Sequence, residues 1–217
     1  MASPARSPGR TRNPRGQGER LREALLEAAI ELLAEAGDVD ALSVRAVTAH
    51  VGVTPTALYL HFADRDELLE AVKDSCFEEL RRYVLAAEER AAGDPRRQAE
   101  QMCLAYLQFA TDLPGHYRVL FHTRRGSAPA DEVPRPSGPA ELNWPESGAQ
   151  AFGDLVRGIE RCLASGLDPF QSALMVWAGM HGYVLLRESL GHFPFPGSTG
   201  YINQLLDAHL TPHGATA

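Results

Sequence analysis

Apolar positions recur at helical spacing along most of the chain. Leu21, Leu25, Ala28, Ala29, Leu32, Leu33 and Ala36 step by three and four, predicting an amphipathic helix that stops at Gly37. Val44, Val47 and Val51 form a second stripe, closed by Gly52, a residue that tolerates the left-handed backbone of a sharp helix stop. Leu58 and Phe62 lie one turn apart and predict an inward face for a third, short helix. Leu68, Leu69, Val72, Cys76, Leu80, Tyr83 and Val84 then mark a long helix from Asp64 to about Ala92, broken by Gly93-Asp94-Pro95. Cap chemistry fits these starts. Ser43 and Thr54 are expected N-caps, Pro55 stands at a first helical position, and Asp64 with Glu67 reads as a capping box with aspartate in the cap role.

Residues 42–62 are the most informative stretch. They predict two short helices joined by a tight turn, the second opening on small polar groups and ending with Tyr59, His61 and Phe62. That is the build of a helix-turn-helix, whose second helix lies in the DNA major groove. Thr56, Ala57, Tyr59 and His61 are left on its outer side.

The run Ser43-Val44-Arg45-Ala46-Val47, Val51-Gly52-Val53-Thr54, Leu58-Tyr59, His61-Phe62, Asp64-Arg65 and Leu68 resembles the N-terminal domain of TetR-family transcriptional regulators over residues 19–72. Two positions depart from the pattern. Arg65 stands where many members carry a phosphate-touching lysine, and its forked guanidinium is expected to keep that contact. Val47-Thr48 replaces the commoner Ile-Ala, so Thr48 is expected to face outward or to bond back to the backbone.

Beyond residue 95 the pattern stays helical. Helices are predicted from about Pro95 to Asp112, over 116–121 after the Pro114-Gly115 break, from Ala149 to Ser165 before Gly166, from Pro169 after Asp168 to about Leu190, and from about Thr199 to Leu210. Residues 124–148 hold five prolines and predict a long loop, either mobile or a pocket cover. Trp177 followed by His181-Gly182 resembles the signature of one TetR C-terminal domain type, the Trp-His-Gly type, which implies a helical ligand and dimerisation domain. Gly179 and Gly182 each cost a helix about 1 kcal/mol against alanine, so both are expected where another helix approaches, plausibly in a homodimer bundle with Leu186, Leu205 and Leu206.

The expected fold is therefore all-α. Residues 1–18 form a disordered basic arm, 19–72 the helix-turn-helix domain with its motif at about 42–61, 73–211 a helical regulatory and dimerisation domain, and 212–217 a tail.

Charge changes this picture in one place. The net charge of −7 argues against nucleic acid, but Arg6, Arg10, Arg12 and Arg15 precede the first acid at Glu19. That segment reads either as a solvated tail or as an arm following the DNA backbone or minor groove. No apolar run approaches the ~18 residues of a membrane span, and no apolar signal segment follows the arginines. Cys76, Cys103 and Cys162 are odd in number and widely spaced, which suits a reducing cytoplasm and no disulfide framework.

Candidate DNA contacts are Ser43, Arg45, Thr54, Pro55, Thr56, Ala57, Tyr59, His61 and Arg65. Tyr59 has local packing as its alternative, His61 a core-edge role, and Arg45 a solvated one. Met102, Tyr106, Phe109, Tyr117, Phe121, Phe152, Met175, Trp177 and Met180 supply apolar surface, with polar fixing from His181 or Arg118. Singly each is read as ordinary core; together they allow an apolar ligand. His116, His122, His181 and His192 are scattered without a nucleophile or a His-x3-His pair, and His50 lacks a second ligand at metal spacing. No enzyme, cofactor or metal is expected. The expected partners are double-stranded operator DNA, a second copy of the chain and an unknown small-molecule effector, with no membrane. The alternative is a dimeric helical DNA-binding or interaction protein with no small-molecule response.

Overall fold

The computed structural model describes residues 17–39, 42–121 and 145–211. Within them the chain forms nine α-helices and no strand: α1 (Gln17–Ala36), α2 (Val44–Val51), α3 (Pro55–Leu58), α4 (Arg65–Arg90), α5 (Pro95–Asp112), α6 (Pro114–Phe121), α7 (Glu146–Glu160), α8 (Pro169–Ser189) and α9 (Ser198–Leu210).

Two hydrophobic cores organise these helices. The first gathers Leu25, Ala29 and Leu33 of α1, Val47 of α2, Leu58, Phe62, and Leu68, Val72 and Cys76 of α4. The second gathers Phe77 and Leu80 of α4 with Met180, Tyr183 and Val176 of α8, Ile159 of α7 and Ile202 and Leu206 of α9. Helix α4 belongs to both, changing core between Cys76 and Phe77. Helix α6 also belongs to both: Tyr117 packs in the second core, and Val119, two residues on, packs in the first. A helix carries residues two apart on different sides, so α6 can join two cores that lie on opposite flanks.

Local chemistry sets most boundaries as expected, and shifts some. Gly37 and Gly52 end α1 and α2 with positive φ, and the Gly52 N–H donates to the carbonyls of Thr48 and Ala49. Asp64 caps α4, accepting from Glu67 N at 2.8 Å, while Glu67 reaches back to the N–H of Ala63. Ser43 and Thr54 occupy cap positions, but neither side chain makes the expected capping bond. Helix α3 is a single turn and does not run to the expected Phe62. Backbone bonds from Leu60 to Ala57 and from His61 to Leu58 tighten the chain after Leu58 and return Phe62 to the core. Helix α7 begins three residues before the predicted Ala149 and ends at Glu160, because Pro145 precedes a sound first turn and Cys162 already bonds in a turn to Ile159. Pro114 opens α6 directly after α5, so the Pro-Gly pair separates the helices and also starts the second. Of the predicted loop at 124–148, residues 124–144 lie outside the described residues, Pro145 stands at the N-cap of α7, and 146–148 belong to its first turn.

Candidate DNA-binding face and cavity

The turn between α2 and α3 sorts its side chains cleanly. Leu58 is fully buried, whereas Ser43, Arg45, Thr54, Pro55, Thr56 and Tyr59 are exposed. Ala57 and His61 are half-buried. Tyr59 is 53% exposed, which speaks against local packing as its role. Pro55 fixes the backbone at the first helical position, where no N–H is needed, and so presents the following threonine outward at little entropic cost. Thr48 is buried; its hydroxyl donates to the Val44 carbonyl at 2.9 Å, which resolves the two expectations for it in favour of the backbone bond.

Arg65 departs from its expected role. Its Nε donates to the Leu42 carbonyl at 2.7 Å, and a terminal nitrogen donates to the Val39 carbonyl. A further nitrogen lies 3.5 Å from Asp66. The guanidinium is therefore committed to the segment between α1 and α2, and it ties the start of α4 to that segment. Arginine does this where lysine would not, because its fork spans two carbonyls. His50 is exposed beside Glu31, with Nε2 3.0 Å from the carboxylate.

The second core holds a nearly filled cavity of about 40 Å³. Phe77, Met102, Tyr106, Phe152, Trp177 and Met180 are among its walls, with Phe121 closing one side and Arg81 and Asp154 at its charged end. Six of the expected lining residues thus converge: Met102, Tyr106, Phe121, Phe152, Trp177 and Met180. Four do not. Met175 is half-exposed on the outer face of α8. Phe109 is fully buried against Tyr83, ring centroids 5.7 Å apart. Tyr117 and His181 sit behind the wall, the tyrosine oxygen 2.6 Å from His181 Nδ1 and 3.3 Å from the Tyr106 hydroxyl. Burial drives the Tyr117 phenol up to about 12 and Tyr106 well above its ordinary value, so both remain neutral donors. Arg118, named as a polar fixing, pairs instead with Glu188 at 2.7 Å on the surface.

The sequence reading missed Phe77, Arg81 and Asp154. The spacing of Phe77, Arg81 and Val84 is one helical stripe, and that signal places Arg81 in line with apolar neighbours. Asp154 is buried and bridges two guanidiniums: Arg81 Nε at 2.8 Å, and Arg157 on the other oxygen. Close approach around the cavity depends on small residues of α7. A Cβ on Gly158 would lie 2.6 Å from the Met102 sulfur, and one on Gly148 would lie 2.9 Å from the Phe77 ring.

The outer faces of α8 and α9 correct part of the expected dimer surface. Gly179 does face another helix, but within the same chain: its added Cβ would meet Leu205 at 2.7 Å, and its carbonyl accepts from the Tyr201 hydroxyl. Leu206 is fully buried in the chain's own core. Gly182 and Leu186 remain on an open face with Met175 and Ala178, and nothing lies within 4 Å of a Cβ built on Gly182.

Comparison with known families decides the identity of this arrangement. The family described as "Bacterial regulatory proteins, tetR family" matches residues 25–72, and "Tetracyclin repressor-like, C-terminal domain" matches residues 99–211. The chain belongs to the TetR family. Solved structures agree at the level of fold. A TetR-family transcription regulator from Marinobacter aquaeolei superposes with a TM-score of 0.69 at 18% identity, covering 90% of this chain and 98% of that one. A protein of unknown function from Rhodococcus sp. gives 0.67 at 24%, covering 92% and 97%. A TetR-like transcriptional regulator from the same genus gives 0.61 at 16%, covering 90% and 96%. The TetR-family chain is thus a transcription regulator with a helix-turn-helix DNA-binding domain, a non-catalytic class of protein. No helix among its described residues is long and apolar enough to cross a membrane.

Proposed function

We propose that this TetR-family protein represses transcription as a homodimer on a palindromic operator and leaves it when a small apolar molecule enters the cavity. The observation that carries the reading is the division of labour at α3. Leu58 anchors α3 in the first core, and Thr54, Pro55, Thr56 and Tyr59 are exposed beside it. Side chains of these types reach phosphates, base edges and thymine methyls. Ser43, Arg45, Ala57 and His61 flank the same face. The N-terminal unit is residues 19–72 with an arm at 1–18, and the regulatory unit is 73–211. Both units act in the cytoplasm, where the DNA lies.

The exposed row Met175, Ala178, Gly182 and Leu186 on α8 supports self-association, since its three- and four-residue steps match a helix-packing seam. Two such copies must hold their recognition helices about 34–36 Å apart to enter successive major grooves. The cavity supports the effector response. Its walls come from α4 to α8, and α4 and α6 run from these walls into the first core. A ligand that favours another spacing weakens DNA binding by its differential affinity for the two states.

The test is selection of bound fragments from random DNA, followed by affinity measurements on the selected site. Thr56→Ala and Tyr59→Ala are expected to keep native circular dichroism and lose at least about tenfold in affinity, the scale of one lost groove or phosphate contact. Unchanged affinity in both variants counts against the groove assignment.

A further inference from the structure

The charged end of the cavity is asymmetric. Asp154 has both oxygens occupied, one by Arg81 and one by Arg157. Arg81 uses Nε on Asp154 and Nη1 on the Gln150 side-chain oxygen at 3.1 Å. Its other terminal nitrogen has no hydrogen-bond partner among the described residues. Arg157 holds Asp154 from outside the cavity, so the charged groups on its wall are Arg81 and Asp154 alone. The Gln150 amide that accepts from Arg81 donates in turn to Glu146 at 3.1 Å. Every other wall named for the cavity is uncharged.

We infer that the cavity takes a small carboxylic acid with an apolar body, its carboxylate pairing with Arg81 and its body lying among Met102, Trp177 and Met180. This rests on the reading of the cavity as an effector site. An anion finds a free donor on a planar fork suited to carboxylates. A cation meets an Asp154 whose two oxygens already hold guanidiniums. The incoming carboxylate competes with Asp154 for Arg81, and Asp154 stays compensated because Arg157 still holds it. That exchange loosens the tie between α4 and α7. The free space of about 40 Å³ fits one water, so the body enters by displacing side chains. Met102 is the first to move, being unbranched and lodged against Gly158.

The experiment is calorimetric titration of the full chain with decanoate, decan-1-ol and decylamine as matched probes. Decanoate is expected to bind about tenfold more tightly than the alcohol, with the amine weakest. Arg81→Gln is expected to reduce the preference for acid over alcohol to about twofold or less. Asp154→Asn is expected to raise decanoate affinity, because it removes the competitor. Equal binding of acid and alcohol, or an acid preference that survives Arg81→Gln, overturns the head-group assignment and leaves the apolar effector cavity standing. Binding of none of the three probes overturns both. If Arg81→Gln loses its fold by circular dichroism, Asp154→Asn decides alone, and an unchanged decanoate affinity there overturns the inference.

Discussion

Thr48 shows what a single side chain must satisfy inside a short helix. It is buried between the valines of α2, and its hydroxyl answers that burial by donating to Val44 one turn back. The same economy explains why Ser43 and Thr54 keep their cap positions without capping bonds: both are exposed, and water can satisfy the free N–H groups there. His116 is half-buried. Burial holds its imidazole below the usual 6.5, against the opposing pull of Glu79 and Glu27, and its ring packs edge-on to Phe109. The unfolded chain therefore binds a proton at this site more readily than the folded one. Stability is expected to fall as pH drops below 6.5 and to level off only below the depressed native value. Urea midpoints measured between about pH 7 and about pH 5 should fall less in His116→Gln than in the parent. Parallel slopes would assign the acid sensitivity to other groups.

At the scale of elements, periodicity made the helices legible and left their partners open. The stripe Leu68, Leu69, Val72, Cys76 and Leu80 identified α4, and all five are buried. The same pattern cannot say that α4 changes core between Cys76 and Phe77, because a stripe records which side is apolar and not what covers it. The glycines of α8 make the point from the other direction. Gly179 and Gly182 look alike in sequence, yet one is filled by Leu205 of the chain's own α9 and the other is open. The exposure of Thr54, Pro55, Thr56 and Tyr59 was legible because the turn motif fixes register residue by residue, whereas the bonds of Arg65 to Val39 and Leu42 join positions far apart in sequence and left no local signal. The cavity was half legible, since apolar type marks a wall and Arg81 and Asp154 carry no apolar signal. Gly182→Leu is expected to leave the monomer folded and weaken dimerisation at least about tenfold, seen by sedimentation at micromolar concentration. Leu206→Asp is expected to unfold the chain instead, since it buries an unpaired charge. A dimer indifferent to Gly182→Leu would move the interface off this face.

Across the whole molecule the acidic total of −7 conceals a division between the basic N-terminal segment and the rest. Deleting residues 1–18 is expected to lower operator affinity and to flatten its dependence on salt, because fewer phosphates are neutralised and fewer counterions released. An unchanged slope would give that segment no electrostatic part. The tie from Arg65 to the carbonyls of Val39 and Leu42 bears on a different question, namely which piece moves. It splices the root of the long helix to the entrance of the turn motif, so a push on α4 carries the reading head as one block. On the mechanism proposed above, an effector works like a hand on a pair of calipers, changing the gap between two unaltered jaws. A DNA fragment holding only one half of the palindrome should be gripped with equal strength whether or not the cavity is filled, and only the two-halved site should feel the difference.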